Sequence, residues 1–455
     1  MKKKVSLLLA ACLTITSLIG CGQPTGAVAD PEATPAAEAD VIVSEADADA
    51  LPDVPVTIRF ATQTMDREKS EIYKVLEQFQ KDYPNVTLEI EESPGNDLIT
   101  KINTDVMGDN TPDMFTFWRP ESKWNVDKYI EKNAIADLTE WVNEDEFFKD
   151  LFPEYAWKTA TVNERIYCIP KANFYIEFLV NKEVFEQYDL ELPTDWEKLV
   201  TACNTLRENG IVPWTVDTKE GLDDSSRIFN AIINRAVGNE KGLELLKGNE
   251  SFQQEDVIRA LDYFIEVVNG NGPEDAAVLD YNQAIAKYLN TGKAAMFLGN
   301  CLQIDNNLTD EIQDKLVVLD LPLTPVAVID KPSLEQDLTQ LIYIGASGYA
   351  DVDKQPYLKE LMKRLTSREA AKKYVEIEHG VAPHLGLDID ESKITDLQKQ
   401  ASAIAENSNG DKWLLSFAKP GPVDEFRRII NETWGGKYTD GTELAKALDD
   451  ALYGK

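Results

Sequence analysis

The sequence predicts an α/β protein whose body folds as two lobes, and three observations carry the prediction. Short alternating stretches that read as strands are separated by segments with apolar residues at helical spacing, the order that builds parallel-type sheets with ligand chemistry at the strand ends. The chain has 455 residues, room for about two to three domains at ~150 residues each. Apolar residues make up 43% of it, which rules out a disordered chain and supplies more α/β structure than one sheet of ordinary size uses.

The elements follow in order. Val56–Ala61 alternates and reads as a strand. From Glu68 to Tyr83 the residues Ile72, Val75, Leu76 and Phe79 share a helical face, and Pro84 stops the helix. Val86–Ile90 is a second strand, Leu98–Met107 a short helix and Asp113–Phe117 a third strand. The alternation resumes with a strand at Phe174–Val180 and helices near 195–209, 224–237, 254–268 and 280–291. Ile211–Val216 reads as a strand running into a loop. Strand-like stretches at Ala294–Leu298, Val317–Leu319 and Gln340–Ile344 precede helical ones at 354–378, 424–433 and 442–452. There is no internal repeat at a fixed period.

The N-terminus reads as an address and an anchor. Lys2, Lys3 and Lys4 precede an apolar run from Val5 to Ile19, too short to span a bilayer comfortably. Leu18-Ile-Gly-Cys21 resembles a bacterial lipoprotein signal, which implies that residues 1–20 are removed and that Cys21 carries a lipid anchor. Secretion with cleavage nearby and an incidental Cys21 is the plainer alternative. Residues 21–53 then form a self-repelling, extended tether with eight acids and no Lys or Arg.

Charge excludes several functions. The formal net charge is −34, and such a surface repels nucleic-acid backbones and anionic lipid. The three lysines and eight acids of the N-terminal segment leave −29 on the residues after it. Beyond Cys12 and Cys21, Cys168, Cys203 and Cys301 show neither paired nor metal-ligand spacing. His379 and His384 are the only histidines and miss the HExxH pattern. No Walker loop, dinucleotide fingerprint, nucleophile elbow or EF-hand is present, so no cofactor or metal is expected.

Seven segments in a fixed order carry a family resemblance. They are Phe79-Gln-Lys-Asp-Tyr-Pro84, Met107–Phe115 with its Thr-Pro-Asp core, Ile135-Ala-Asp-Leu138, Thr161–Pro170, Leu179-Val-Asn-Lys-Glu-Val-Phe185, Leu192-Pro-Thr-Asp-Trp196 and Thr291-Gly-Lys-Ala-Ala-Met296. Together they resemble the extracellular solute-binding proteins, family 1, of bacterial ABC importers, the group of maltose- and oligosaccharide-binding proteins, here in lipoprotein form. The sequence departs from that pattern at Glu164-Arg165 and Cys168, at Leu179-Val180, and at Asn300-Cys301-Leu302, where the family often has a tryptophan. The resemblance implies a two-lobed periplasmic-binding-protein-like (type II) fold with a hinged interlobe cleft. Lobe 1 would be 54–172 plus 323–378, and lobe 2 would be 173–322 plus 379–455. It further implies a monomer outside the cytoplasmic membrane that hands a carbohydrate to membrane permease subunits.

A sugar offers an apolar C–H face to an aromatic ring and a hydroxyl rim to planar polar groups. Candidates of those types at expected strand ends are Gln63, Asp66, Trp118 and Arg119, with Asn173 and Tyr175 at the crossover. Glu121, Trp124 and Glu177 are weaker. In the second lobe they are Trp214, Asn300 and His384. Plainer alternatives are a place in the lobe core for Trp118, packing against a helix for Tyr175, and a solvated turn with a helix cap for Gln63 and Asp66; Trp214, Asn300 and His384 are each weighed against a role without ligand. Trp141, Trp157, Trp196 and Trp413 read as core residues. Two other functions stay open, a surface-tethered polysaccharide hydrolase and a receptor of this fold for a non-sugar ligand or a sensor. With 80 acids, carboxylate pairs of glycosidase type arise by chance.

Overall fold

The computed structural model describes residues 51–118, 126–219, 223–300, 307–329, 335–406, 408, 414 and 422–453. Cys21, Arg119, Glu121, Trp124 and Trp413 lie outside the described residues. Leu51–Lys455 form one compact unit.

β1 (Val56–Gln63) buries Val56, Ile58 and Phe60 on alternate positions. α1 (Glu71–Asp82) buries Ile72, Leu76 and Phe79 along one face and ends two residues before Pro84. It starts later than its periodicity suggests because Asp66 holds the preceding residues in a turn, its carbonyl accepting the Lys69 and Ser70 amides. β2 (Val86–Ser93) pairs with β1 in parallel register from Val56 opposite Val86 to Gln63 opposite Ser93. α2 (Gly95–Met107) leads to β3 (Met114–Phe117), parallel to β1.

A hairpin of β4 (Thr161–Val162) and β5 (Arg165–Ile166) turns through Asn163 and Glu164, both left-handed at φ 49° and 63°. Next comes β6 (Cys168–Asn181), 14 residues long. The remaining strands are β7 (Val212–Trp214), β8 (Ala294–Asn300), β9 (Leu316–Leu319) and β10 (Gln336–Ile344). The sheet order is β2-β1-β3-β10-β6-β8-β7, with β9 also on β6. β10 runs antiparallel between β3 and β6. It ends against Gly345, where any Cβ would stand 2.3 Å from the Pro112 carbonyl oxygen, so only glycine permits this approach.

β6 belongs to two cores. Its first half pairs with β10 beside a core of residues from Val56 to Ile169 and from Leu338 to Leu365. Its last residues pair with β8 and β9 among cores built from Tyr175 to Leu321 and from Leu397 to Leu452. Each fully buried Val, Leu or Phe in these cores stabilises by roughly 1.5–3 kcal/mol. Trp141 and Trp196 are buried with their indole N–H groups on Asp145 and Glu266, and Trp157 is half-buried.

The predicted 354–378 helix is two, Gln355–Leu365 and Arg368–Glu378. The Ser367 hydroxyl accepts the Ala370 amide and starts the second. The hairpin and a helix over Asp396–Glu406 were not foreseen. Among the described residues no helix is long and apolar enough to cross a membrane.

Candidate functional site

The register locates a gap between two sheet edges. Leu341 of β10 lies opposite both Phe117, the end of β3, and Pro170 of β6. Ile176 of β6 lies opposite Asn300, the end of β8. Between these levels run residues 171–175 of β6, paired with 336–340 of β10, a span of roughly 20 Å at about 3.3 Å per residue. The carboxyl ends of β1 and β3 face this stretch from one side and those of β7 and β8 from the other. Crevices outside the carboxyl ends of parallel strands are where open α/β sheets bind ligands.

On the first edge, the Thr62 and Thr116 hydroxyls bond each other at 3.0 Å and tie β1 to β3 just behind their ends. Gln63 follows, half-buried. Trp118 follows Phe117 and is half-buried, its indole edge-on to the Phe117 ring with centroids 5.2 Å apart. The Tyr343 hydroxyl donates to the Trp118 carbonyl at 2.6 Å and fixes the backbone there. Asp66 is exposed in the loop beyond Gln63, and its carboxylate accepts the Glu68 amide. Asn173 is buried on the crossing itself. Its amide donates to the Val381 carbonyl at 2.7 Å and its side-chain oxygen accepts the Phe174 amide. Asn300 closes β8, half-buried.

Three expected residues bury their side chains in the cores instead. Trp214 is 1% exposed, its ring against Phe178 and its indole N–H on the Val267 carbonyl at 3.0 Å. This indole is spent on the second core. Tyr175 lies on the crossing, but its side chain is buried in the cluster of Leu179, Tyr281 and Phe297. His384 packs 4.5 Å from Phe152, and its Nε2 bonds the Thr366 carbonyl. Burial pushes its imidazole down to about 4, so it is neutral at ordinary pH.

Sequence reasoning missed the crossing strand's own polar residues. Gln336, Asp337, Thr339 and Gln340 are half-buried along the crossing. The visible signal is a run of polar residues feeding directly into the apolar Leu341-Ile-Tyr-Ile344, the pattern of a strand that spans a wet gap before it enters a core. It also missed Phe174, whose ring lies under the Arg227 guanidinium. Arg227 in turn pairs with buried Glu335, whose other oxygen accepts the Asn230 amide at 2.6 Å. That network ties the start of β10 to the helix Arg227–Val237. Among the described residues no group of three or more His, Cys, Asp or Glu could hold a metal ion.

Comparison with known proteins gives a consistent picture. The family of bacterial extracellular solute-binding proteins matches residues 63–372. An uncharacterized ABC transporter extracellular-binding protein of Pyrococcus horikoshii is 22% identical over 261 residues, 56% of this chain; the chain spans a little over half, 57%, of that relative's length. A structure from work on xylan utilization by the thermophilic bacterium Caldanaerobius polysaccharolyticus superposes with a TM-score of 0.74 at 20% identity, covering 88% of this chain and 99% of that one. A chitin oligosaccharide binding protein superposes with a TM-score of 0.73 at 18% identity, over 88% and 98%. These likenesses show the two-lobed type II fold of solute-binding proteins.

Proposed function

We propose a function from one premise: this chain belongs to the bacterial extracellular solute-binding proteins. The protein captures a carbohydrate between its two lobes and delivers it, without turnover, to the membrane permease of an ABC-type importer. The observation that carries this reading is the convergence of two sets of strand ends on one five-residue crossing, with an aromatic plate and planar amides at the edges. Trp118 stacks on the sugar's C–H face, while Gln63, Asp66, Asn173 and Asn300 meet its hydroxyl rim, with Arg119 beside Trp118 as a further donor. The neighbours with this fold include a chitin oligosaccharide binder, which favours a sugar over other small solutes.

A thermal-shift screen of the protein against xylo-oligosaccharides, chito-oligosaccharides, maltose, raffinose, amino acids and short peptides tests the ligand class. A sugar that binds only the folded state stabilises it by about 2.7 kcal/mol at a hundredfold excess over Kd. A shift with amino acids or peptides and none with any sugar would contradict the carbohydrate reading. The anchor is a separate part of the proposal. Lipidated Cys21 holds the protein at the outer face of the cytoplasmic membrane, so Cys21→Ala releases it from the membrane fraction; if the variant stays there, Cys21 is not the anchor.

A further inference from the structure

Lys171 stands where β6 leaves the first sheet, and only 4% of it is exposed. Its ammonium lies over the Tyr374 ring, 4.3 Å from the centroid. Burial works against this charge and lowers the lysine's pKa, while the fields of Glu378 and Glu71 oppose the drop. Glu71 is the buried first residue of α1, and its backbone N–H donates to the Glu378 carboxylate at 2.6 Å. Glu378 thereby sits at the amino end of α1, where negative charge is favoured. The Lys171 ammonium and these two carboxylates thus act on one another through their fields.

Two further lysines act on the same carboxylates, Lys373 on Glu71 more strongly than Lys171 does. Lys373 approaches Glu71 only to 4.0 Å and is engaged by Glu369 at 2.9 Å. Lys74 on α1 also acts on both carboxylates, and Asp66, in the loop before α1, pushes Glu378 upward. His384, with Arg368 near it, faces Lys171 from the far side and stays neutral. Burial first, and the neighbouring Glu378 charge with it, raise Glu71 to about 7, against the pull of the lysines.

The cluster lies at the base of two passages of the chain. Asn173, two residues beyond Lys171, bonds the Val381 carbonyl, and Val381 lies three residues beyond Glu378. Between them His379 is left-handed at φ 56°, and a Cβ on Gly380 would stand 2.1 Å from the Tyr374 ring. The turn from Glu378 to Val381 is therefore closely constrained against the same ring that covers Lys171.

We propose that Lys171, Glu71 and Glu378 form a proton-linked latch at the crossing between the lobes. With one carboxylate protonated, Glu71 and Glu378 sit side by side without repulsion, and the Val381 passage is held against α1 and β6. When that proton passes to solvent, two adjacent carboxylates carry charge in a buried setting, and their repulsion loosens the passage. The latch sets how readily the crossing opens as the outside pH changes.

The test is amide hydrogen exchange on the ligand-free full chain at pH 6 and pH 8.5, corrected for the intrinsic exchange rate. Peptides covering 168–176 and 376–384 should lose protection by roughly threefold to tenfold at the higher pH, one pK unit of coupling being a factor of ten. Glu71→Gln should remain protected at both pH values. Asp353→Asn, at an exposed carboxylate outside this cluster, should behave like the wild type. Equal protection of the wild type at both pH values overturns the latch, and so does a Glu71→Gln protein that keeps the pH response. If Glu71→Gln does not fold, Glu378→Gln, which still offers an oxygen to the Glu71 amide, decides by the same criterion.

Discussion

Trp118, Trp214 and His384 were equivalent in the sequence, each an aromatic or imidazole group near an expected strand end. The structure separates them by what lies behind each. Trp118 directly follows the end of β3 and packs edge-on against Phe117, whereas Trp214 meets the helix Glu255–Val268 and gives its N–H to that helix's Val267 carbonyl. No local pattern announces that helix above Val212-Pro-Trp214, so the difference was not legible without the fold. His384 has a consequence for acid stability. The unfolded imidazole takes up a proton near its ordinary 6.5, while the buried one resists until about 4. The stability this represents is present above pH 6.5 and lost as pH falls toward 4, at most roughly 3 kcal/mol. Glu71 acts in the opposite sense: its folded carboxyl keeps a proton up to about 7, so its contribution falls as pH rises from about 4.5. A variant comparison isolates the histidine. His384→Gln, which retains a donor for Thr366, should gain on the wild type as pH drops from 6.5 to 4 in urea unfolding, and a constant difference would refute the assignment.

At the scale of elements, β6 and β10 were each read as half their true length. The sequence signalled Phe174–Val180 and Gln340–Ile344, the apolar stretches, because Lys171, Asn173, Gln336 and Asp337 break the alternation that marks a strand. Those polar residues mark where each strand crosses between cores, so the apparent end of the strand pattern coincides with the proposed site. The buried pair of Arg227 and Glu335 anchors the start of β10 to the helix Arg227–Val237. Removing one partner of a buried pair costs about 3–5 kcal/mol. Glu335→Ala should lower unfolding stability by that amount, and Arg227→Met with Glu335→Leu should recover most of it. A loss below about 1 kcal/mol in the single variant would mean that Arg227 finds another partner. The same logic explains the split of the predicted 354–378 helix: Thr366 gives its carbonyl to His384 and Ser367 caps a new helix, a tertiary contact that periodicity does not encode.

For the whole molecule, the family and the α/β architecture were legible because both rest on ordered strand–helix alternation and on segments spread across the chain. The binding face was only partly legible, because it is made where residues far apart in sequence reach one level of two paired strands. Ligand closure of two lobes about such a crossing requires one solute to touch both edges, and binding energy must then depend on residues of each. The most direct measurement is a calorimetric titration of the sugar that stabilises the protein in the screen into the wild type, Trp118→Ala and Asn300→Ala. Loss of an aromatic plate or a paired amide costs about 1.4 kcal/mol or more, a tenfold weakening. The account predicts at least that loss in both variants, with each still unfolding cooperatively. Full affinity in either variant would mean that the ligand does not bridge the two edges, and would contradict capture between the lobes.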